Sequence, residues 1–289
     1  MKFTKMHGLG NDYVYVNCFE EPLINVDLPE LSRRVSDRHF GIGGDGLILI
    51  MPSEVADFRM RVFNNDGSEA KNCGNGLRCV SKYVYDHGLT VKQQFTVETL
   101  GGIVSPVVEA GADGKVKLIT IDMGEPRLTR GEIPMSGEAH EQVIEYPLTV
   151  EGRTYEMTAV SMGNPHAILF VDKIDEDEVV TFGPKIEWSD LFPERTNVEF
   201  IQILNRQEIL FRVWERGSGV TLACGTGACA AAVAAILGNK TERTVTVHLL
   251  GGDLQIEWRE ENNRVYMTGP ATEVFNGVYG EAVPLLENI

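Results

Sequence analysis

A cysteine turn that occurs twice constrains this chain more than any other feature. Asn72-Cys73-Gly74-Asn75-Gly76-Leu77-Arg78-Cys79 is echoed by Ala223-Cys224-Gly225-Thr226-Gly227-Ala228-Cys229. Each copy has a cysteine, a glycine, a polar residue and a second glycine, followed at once by a run that reads as helix. After Gly76, the apolar residues Leu77, Val80 and Val84 fall at helical spacing, with Gly88 as a stop. After Gly227, the run Ala230 to Leu237 is apolar on every side, which predicts a buried helix ended by Gly238-Asn239. Each cysteine thus stands just ahead of a helix N-terminus, where a thiolate is favoured and free backbone N–H groups can hold an anion.

The echo extends further. Gly10-Asn11-Asp12 and Gly163-Asn164-Pro165 each precede an apolar run, Leu100-Gly101-Gly102 is answered by Leu250-Gly251-Gly252, and Asp37-Arg38 has a fainter partner in Glu194-Arg195. These pairs are separated by 150 to 157 residues in a chain of 289. Recurrence in one order at nearly one offset indicates a duplication. Two copies of a fold tend to pack about a pseudo-two-fold axis, which would turn Cys73 and Cys224 toward one cleft. The expected halves are 1–121 plus 270–289, carrying Cys73, and 122–269, carrying Cys224. The tail from Pro270 has no counterpart in the first half and is expected to cross back onto it.

Apolar and alternating residues predict strands at Phe3–Met6, Tyr13–Cys18, Leu47–Met51, Phe58–Phe63, Phe95–Leu100, Ile103–Glu109 and Val116–Ile121. Asp27 with Pro29 and Glu30 starts a helix that ends before Gly41. In the second half, Leu148 to Val160 reads as a hairpin through Glu151-Gly152. A polar stretch with one or two helical turns leads to Pro193. Strands then follow at Val198–Leu204, Phe211–Trp214, Thr244–Leu249 and Leu254–Trp258. Gly41-Ile42-Gly43-Gly44-Asp45-Gly46 matches the dinucleotide fingerprint, but a strand-like run follows it where that fingerprint opens a helix, so a nicotinamide or flavin role is rejected.

A net charge of −16 argues against nucleic acid as partner, because phosphate binding needs clustered Lys and Arg. The longest apolar run, Ala228 to Leu237, is too short to span a membrane, and Met1 to Lys5 lacks a signal-peptide core. Five cysteines are an odd number at low density, which excludes a disulfide scaffold and fits a cytoplasmic protein with functional thiols. Cys18, Cys79 and Cys229 read as small buried hydrophobes. The cysteine spacings lack a nearby His, so no metal site is expected. A single cysteine nucleophile would leave the second copy unexplained.

Two thiols explain both copies. One removes a proton from a carbon centre and the other delivers a proton to the opposite face. The N–H groups of Gly74-Asn75 and Gly225-Thr226 would hold the α-carboxylate and the charge that develops on it, each such donor being worth about 3–4 kcal/mol. A coupled pair of this kind titrates as a unit.

Met6-His7-Gly8-Leu9-Gly10-Asn11-Asp12 and Asn64-x-Asp66-Gly67-Ser68, running on to the first cysteine turn, resemble diaminopimelate epimerases. So do Gly163-Asn164-Pro165-His166, Arg195-Thr196-Asn197-Val198-Glu199, Glu215-Arg216-Gly217 and the second cysteine turn. Proline racemases share the cysteine turns but not the opening block. The resemblance implies an α+β fold of two pseudo-symmetric halves, each a mixed sheet wrapped around a central helix, with the active site in the cleft between them. It also implies cofactor-free epimerisation of LL- to meso-diaminopimelate, supplying lysine and cell-wall precursors, in a homodimer. On that basis Asn11, Asn64, Asn164, Asn197, Glu215 and Arg216 hold the distal end of the substrate, and His166 and Glu215 tune the thiols. Many relatives carry a substrate-contacting Gln where this chain has Gly46. The alternatives are a proline or hydroxyproline racemase, a non-catalytic amino-acid-binding module, and a pyridoxal enzyme.

Overall fold

The computed structural model of the chain describes residues 1–71, 73–280 and 282–286. Asn72 of the first cysteine turn, and Glu281 and 287–289 of the tail, lie outside the described residues. The chain forms two compact units, Met1–Ile121 with Gly269–Ile289, and Asp122–Thr268.

The first unit begins with β1 (Lys2–Gly8), β2 (Asn11–Asn17), α1 (Leu28–Ser36), β3 (Gly46–Met51), β4 (Phe58–Asn64) and β5 (Glu69–Ala70). It continues with α2 (Gly74–Asp86), β6 (Val97–Thr99), β7 (Gly102–Val104), β8 (Val107–Ala110) and β9 (Val116–Asp122). Asp27 caps α1 by accepting from Glu30 N–H, as its sequence position implies. The strand expected over Ile103–Glu109 is two strands, β7 and β8. Pro106 lies between them and has no N–H to donate to a ladder.

The second unit holds β10 (Tyr146–Val150), β11 (Arg153–Ser161), β12 (Pro165–Phe170), α3 (Glu176–Glu187), β13 (Asn197–Asn205) and β14 (Glu208–Glu215). Then come β15 (Gly219–Val220), α4 (Gly225–Leu237), β16 (Thr244–Leu249), β17 (Gly252–Trp258) and β18 (Val265–Gly269), the last ending at the unit boundary. The β10–β11 hairpin turns at Glu151-Gly152, both with positive φ (48° and 84°), the geometry of a tight two-residue turn. The polar stretch before Pro193 forms a 12-residue helix, longer than the one or two turns expected. Asp175 caps it, acidic residues fill its first turn, and Val179, Gly183, Ile186 and Glu187 form its buried stripe. Gly183 is required there, because a Cβ would fall 2.6 Å from Trp214 Cβ. The final strand, β19 (Thr272–Val278), pairs antiparallel with β1 in the first unit.

Each unit is a mixed sheet, and the two follow one strand order. The first runs β19-β1-β2-β3-β4-β6-β7 with β5 on β4, and the second contains β10-β11-β12-β13-β14-β16-β17-β18 with β15 on β14. In the first, β2 and β3 pair parallel across α1, and β4 and β6 pair parallel across α2. In the second, β12 and β13 pair parallel across α3, and β14 and β16 pair parallel across α4. The duplication read from the cysteine turns is therefore a duplication of topology. Helix α2 packs on β1, β2, β4 and β19, and α4 packs on β11 to β14, β16 and β17. Ala228 to Ala235 of α4 are fully buried, so this helix is the core of its unit, as its all-round apolar sequence requires.

Candidate active site

Cysteine is an unusual helix cap, and here it caps both central helices. Cys73 is the N-cap of α2 and Cys224 the N-cap of α4, each with extended backbone. Gly76 N–H donates to Cys73 Sγ at 3.3 Å, and Gly227 N–H donates to Cys224 Sγ at the same distance. The sulfur takes the place of the Ser or Asp oxygen that ordinarily satisfies an open N–H at a helix start. The second glycine of each turn has a steric reason. A Cβ on Gly76 would fall 2.5 Å from Ile48 Cδ1 of β3, and one on Gly227 would fall 2.7 Å from Glu199 Oε1 and 3.1 Å from Cys224 Sγ. Without a side chain at these positions, the first helical turn lies close to both its sulfur and its sheet.

In the first unit, Cys73 is half-buried and its S–H points to Asn11 Oδ1 at 3.8 Å. Asn75 Nδ2 donates to the same oxygen at 3.2 Å, and the Tyr13 hydroxyl also reaches the thiol. Asp45 orients Asn11 by accepting from its Nδ2 at 2.7 Å, and also accepts from Asp12 N–H. Arg78 is fully buried, donates to Asn75 Oδ1 at 2.9 Å, and holds the Pro270 carbonyl. Asn64 ends β4 and donates to Ser68 Oγ at 3.0 Å. Gly46 lies beside Asn64 in the β3–β4 ladder, and a Cβ there would run into the Phe63 carbonyl, so this backbone leaves no space for a side chain at that position.

In the second unit, His166, Asn164, Glu199, Glu215, Thr226 and Cys224 form one polar cluster. His166 is fully buried, with Nδ1 2.6 Å from Glu199 Oε1 and Nε2 3.1 Å from Asn164 Oδ1. Glu215 accepts from the Thr221 hydroxyl and hydrogen-bonds Cys224. Thr226 Oγ1 lies 3.6 Å from the same sulfur. The groups acting directly on the Cys224 thiol are therefore Glu215, Glu199, Thr226 and Gly227. His166 spends both ring nitrogens on Glu199 and Asn164.

Asn197 is buried and bridges two turns, donating to the Pro165 carbonyl and accepting from Arg216 N–H, both at 2.9 Å. Arg216 Nη1 donates to the Glu194 carbonyl at 2.8 Å. Glu187, at the end of α3, fixes the Glu215-Arg216-Gly217 turn from below. Its carboxylate accepts from Trp214 Nε1 at 2.8 Å and from Gly217 N–H at 3.0 Å. Sequence reading passed over Glu187, Glu199, Tyr13 and Asp45. Asp45 and Glu199 stood within quoted motifs, but nothing in the spacing tied Asp45 to Asn11 or Glu199 to His166.

The sequence led us to expect helix N-termini to favour the thiolates, and burial outweighs that effect at both positions. Desolvation pushes Cys73 up, opposed by the N–H groups of Gly76 and Asn75, by Tyr13 and by the Arg78 charge. Desolvation pushes Cys224 well above the ordinary thiol range, and the Glu215 and Glu199 carboxyls add to it. The two thiols thus differ in their surroundings, with cationic help near one and acidic neighbours around the other.

Among the described residues no helix is long and apolar enough to cross a membrane. A family model described as diaminopimelate epimerase matches residues 3–129 and 158–274. A diaminopimelate epimerase of Bacillus cereus is 59% identical over 279 residues, covering 96% of each chain. One of Geobacillus thermodenitrificans is 57% identical over the same length, again covering 96% of each. Among solved structures, a PhzF-family phenazine biosynthesis protein of Bacillus anthracis superposes with a TM-score of 0.67 at 17% identity, covering 96% of this chain and 98% of that one. A probable proline racemase of Agrobacterium radiobacter gives 0.67 at 15% identity, covering 96% and 92%. At such identities these two structures establish the fold alone.

Proposed function

The chain belongs to the diaminopimelate epimerase family, its reaction is diaminopimelate epimerisation in lysine biosynthesis, and we propose that Cys73 and Cys224 carry that reaction as an acid–base pair needing no cofactor or metal. The observation that carries this reading is the repeated cap. Two thiols, each at the N-terminus of its unit's central helix, are each held at 3.3 Å by the N–H of a glycine packed close against its sulfur.

Inverting one α-carbon of the LL isomer gives the meso isomer. The α-hydrogen is a very weak acid, because the adjacent carboxylate already carries negative charge. One cysteine takes this proton as thiolate and the other delivers a proton to the opposite face as thiol. The N–H groups of Gly74-Asn75 and Gly225-Thr226 receive the α-carboxylate, where charge builds up. Asn11, Asn64, Asn164, Asn197, Glu215 and Arg216 hold the distal amino-acid end, with the Arg216 fork suited to its carboxylate. His166 and Glu215 set the protonation of the thiol pair. A cytoplasmic homodimer completes the reading, with a small-molecule substrate and no nucleic-acid partner.

Incubation of the protein with LL-diaminopimelate in heavy water tests it. The meso product should carry solvent deuterium at the inverted carbon, and proline should give no exchange. Turnover of proline, or meso product that keeps the original hydrogen, would sink the proposal.

The thiol environments give a second test. A thiol whose pKa is raised by burial is less ionised at neutral pH than an ordinary cysteine. Its alkylation should therefore rise about tenfold per pH unit and keep rising above about pH 8.5, the usual thiol midpoint. Cys73 has Arg78 nearby and Cys224 has two acids, so iodoacetamide should label Cys73 first. Peptide mapping over a pH series decides this, and labelling of Cys224 ahead of Cys73 would contradict it.

A further inference from the structure

The polar cluster beside Cys224 contains one carboxyl to which the mechanism above gives no task. Glu199 on β13 is 0% exposed, as is His166. Its Oε1 lies 2.6 Å from His166 Nδ1, and its Oε2 has no hydrogen-bond partner among the described residues. The first turn of α4 closes over it, since a Cβ on Gly227 would fall 2.7 Å from Oε1. The other titratable groups acting here are Glu215 from β14 and Cys224 from α4, both acids that bring no positive charge.

Two proton arrangements fit the short His166–Glu199 contact. In one, an imidazolium donates to a carboxylate. In the other, a carboxylic acid donates to a neutral ring. The first places a full negative charge in the interior with one oxygen bare and further acids beside it. The second leaves bare only the carbonyl oxygen of an uncharged group, which costs far less to desolvate. His166 Nε2 is 3.1 Å from Asn164 Oδ1, an acceptor, so it carries a hydrogen in either case.

We propose that Glu199 is a carboxylic acid at neutral pH, donating to His166 Nδ1 and so fixing His166 as the neutral Nε2–H tautomer that in turn holds the Asn164 amide in one orientation. Burial pushes the Glu199 carboxyl up, with His166 the opposing influence, in the same sense. Glu199 is then a positioning residue acting through two others. Asn164 accepts from Nε2–H through its oxygen and keeps its NH2 group turned away from His166. A neutral Glu199 also removes one of the two negative charges that would oppose ionisation of Cys224.

Nitrogen-15 spectra of histidine-labelled full-length protein test this. The His166 signals, assigned by their loss in His166→Asn, should show a protonated Nε2 and an unprotonated Nδ1. Two protonated nitrogens, or a protonated Nδ1 with a bare Nε2, would overturn the proposal. Glu199→Gln supplies an N–H donor in place of the acid O–H, whereas Glu199→Met supplies none at similar size. Gln should keep the Nε2–H signature and a KM within about twofold of the parent. Met leaves Nδ1 without its donor, so it should loosen the preference for the Nε2–H tautomer and raise KM about tenfold with a smaller change in kcat, the scale of one lost hydrogen bond. A Gln variant as impaired as Met, or a Met variant with the parent KM, would also overturn it. The KM comparison rests on the proposed grip of Asn164 on substrate and the spectra do not, so an unmodified protein without epimerase activity would sink the functional reading and leave the spectra to decide this one.

Discussion

Cys73→Ala and Cys224→Ala should each lose at least about a thousandfold in turnover of diaminopimelate, in both directions, while remaining folded. General acid–base groups contribute on the order of a hundred- to ten-thousandfold apiece. In the proposed mechanism each cysteine serves as base in one direction and acid in the other, so neither variant can keep a one-way activity. The folded state should survive because each exchange removes a single sulfur, which accepts the capping N–H of Gly76 or Gly227 and makes side-chain contacts with Asn11 and Tyr13 or with Thr226 and Glu215. Losing a helix cap costs about 0.5–2 kcal/mol, less than the stability of an ordinary domain. Initial rates from the LL and meso isomers, with circular dichroism as the check on folding, settle the matter. Either variant retaining activity within tenfold of the parent would mean that a single cysteine suffices, and the duplicated turn would need another explanation.

Gly227→Ala should destabilise the second unit by about 1–3 kcal/mol and remove most of the activity. Its new methyl would meet Glu199 Oε1 at 2.7 Å, and Cys224 Sγ and Phe211 Cζ each at 3.1 Å. All three neighbours are buried, and overpacking a close-packed interior forces side chains off their preferred rotamers. The helix propensity gained by alanine, about 1 kcal/mol, offsets only part of this. Gly76→Ala is the control. Its closest neighbour is Ile48 Cδ1 at 2.5 Å, the end of a flexible though buried side chain, and Cys73 Sγ stands farther off at 3.3 Å. It should cost about 1 kcal/mol or less. Urea unfolding of both variants compares them, and equal stability for Gly227→Ala and the parent would show that the first turn of α4 yields where the packing says it cannot.

The contrast between these glycines shows what could be read from the chain before its fold was known. The repeat of Cys-Gly-x-Gly was visible in the sequence, and the strand pairing of both units follows the repeat, because a duplicated sequence carries its hydrophobic pattern and its turns with it. The buried helix α4 was visible for a similar reason, since an apolar run on every face has no other stable place. The acidic stretch holding α3 hid its length, because four inward positions among charged neighbours make a faint stripe. Glu199 was legible only as the last residue of a motif, with no partner marked for it, and its carboxyl meets a histidine 33 residues earlier in the chain.

The sequence by itself determined the doubling and the two cysteine-capped helices, both of which depend on residues close together along the chain. Tertiary structure decided how burial and charge balance around those thiols. Burial overrides the helix N-terminus at both cysteines, Arg78 stands near one and two acids near the other, and the partners of His166 are supplied by β13 and the β12 turn. Ionisation depends on what surrounds a group in space, and neighbours brought together by folding leave no mark in residue spacing.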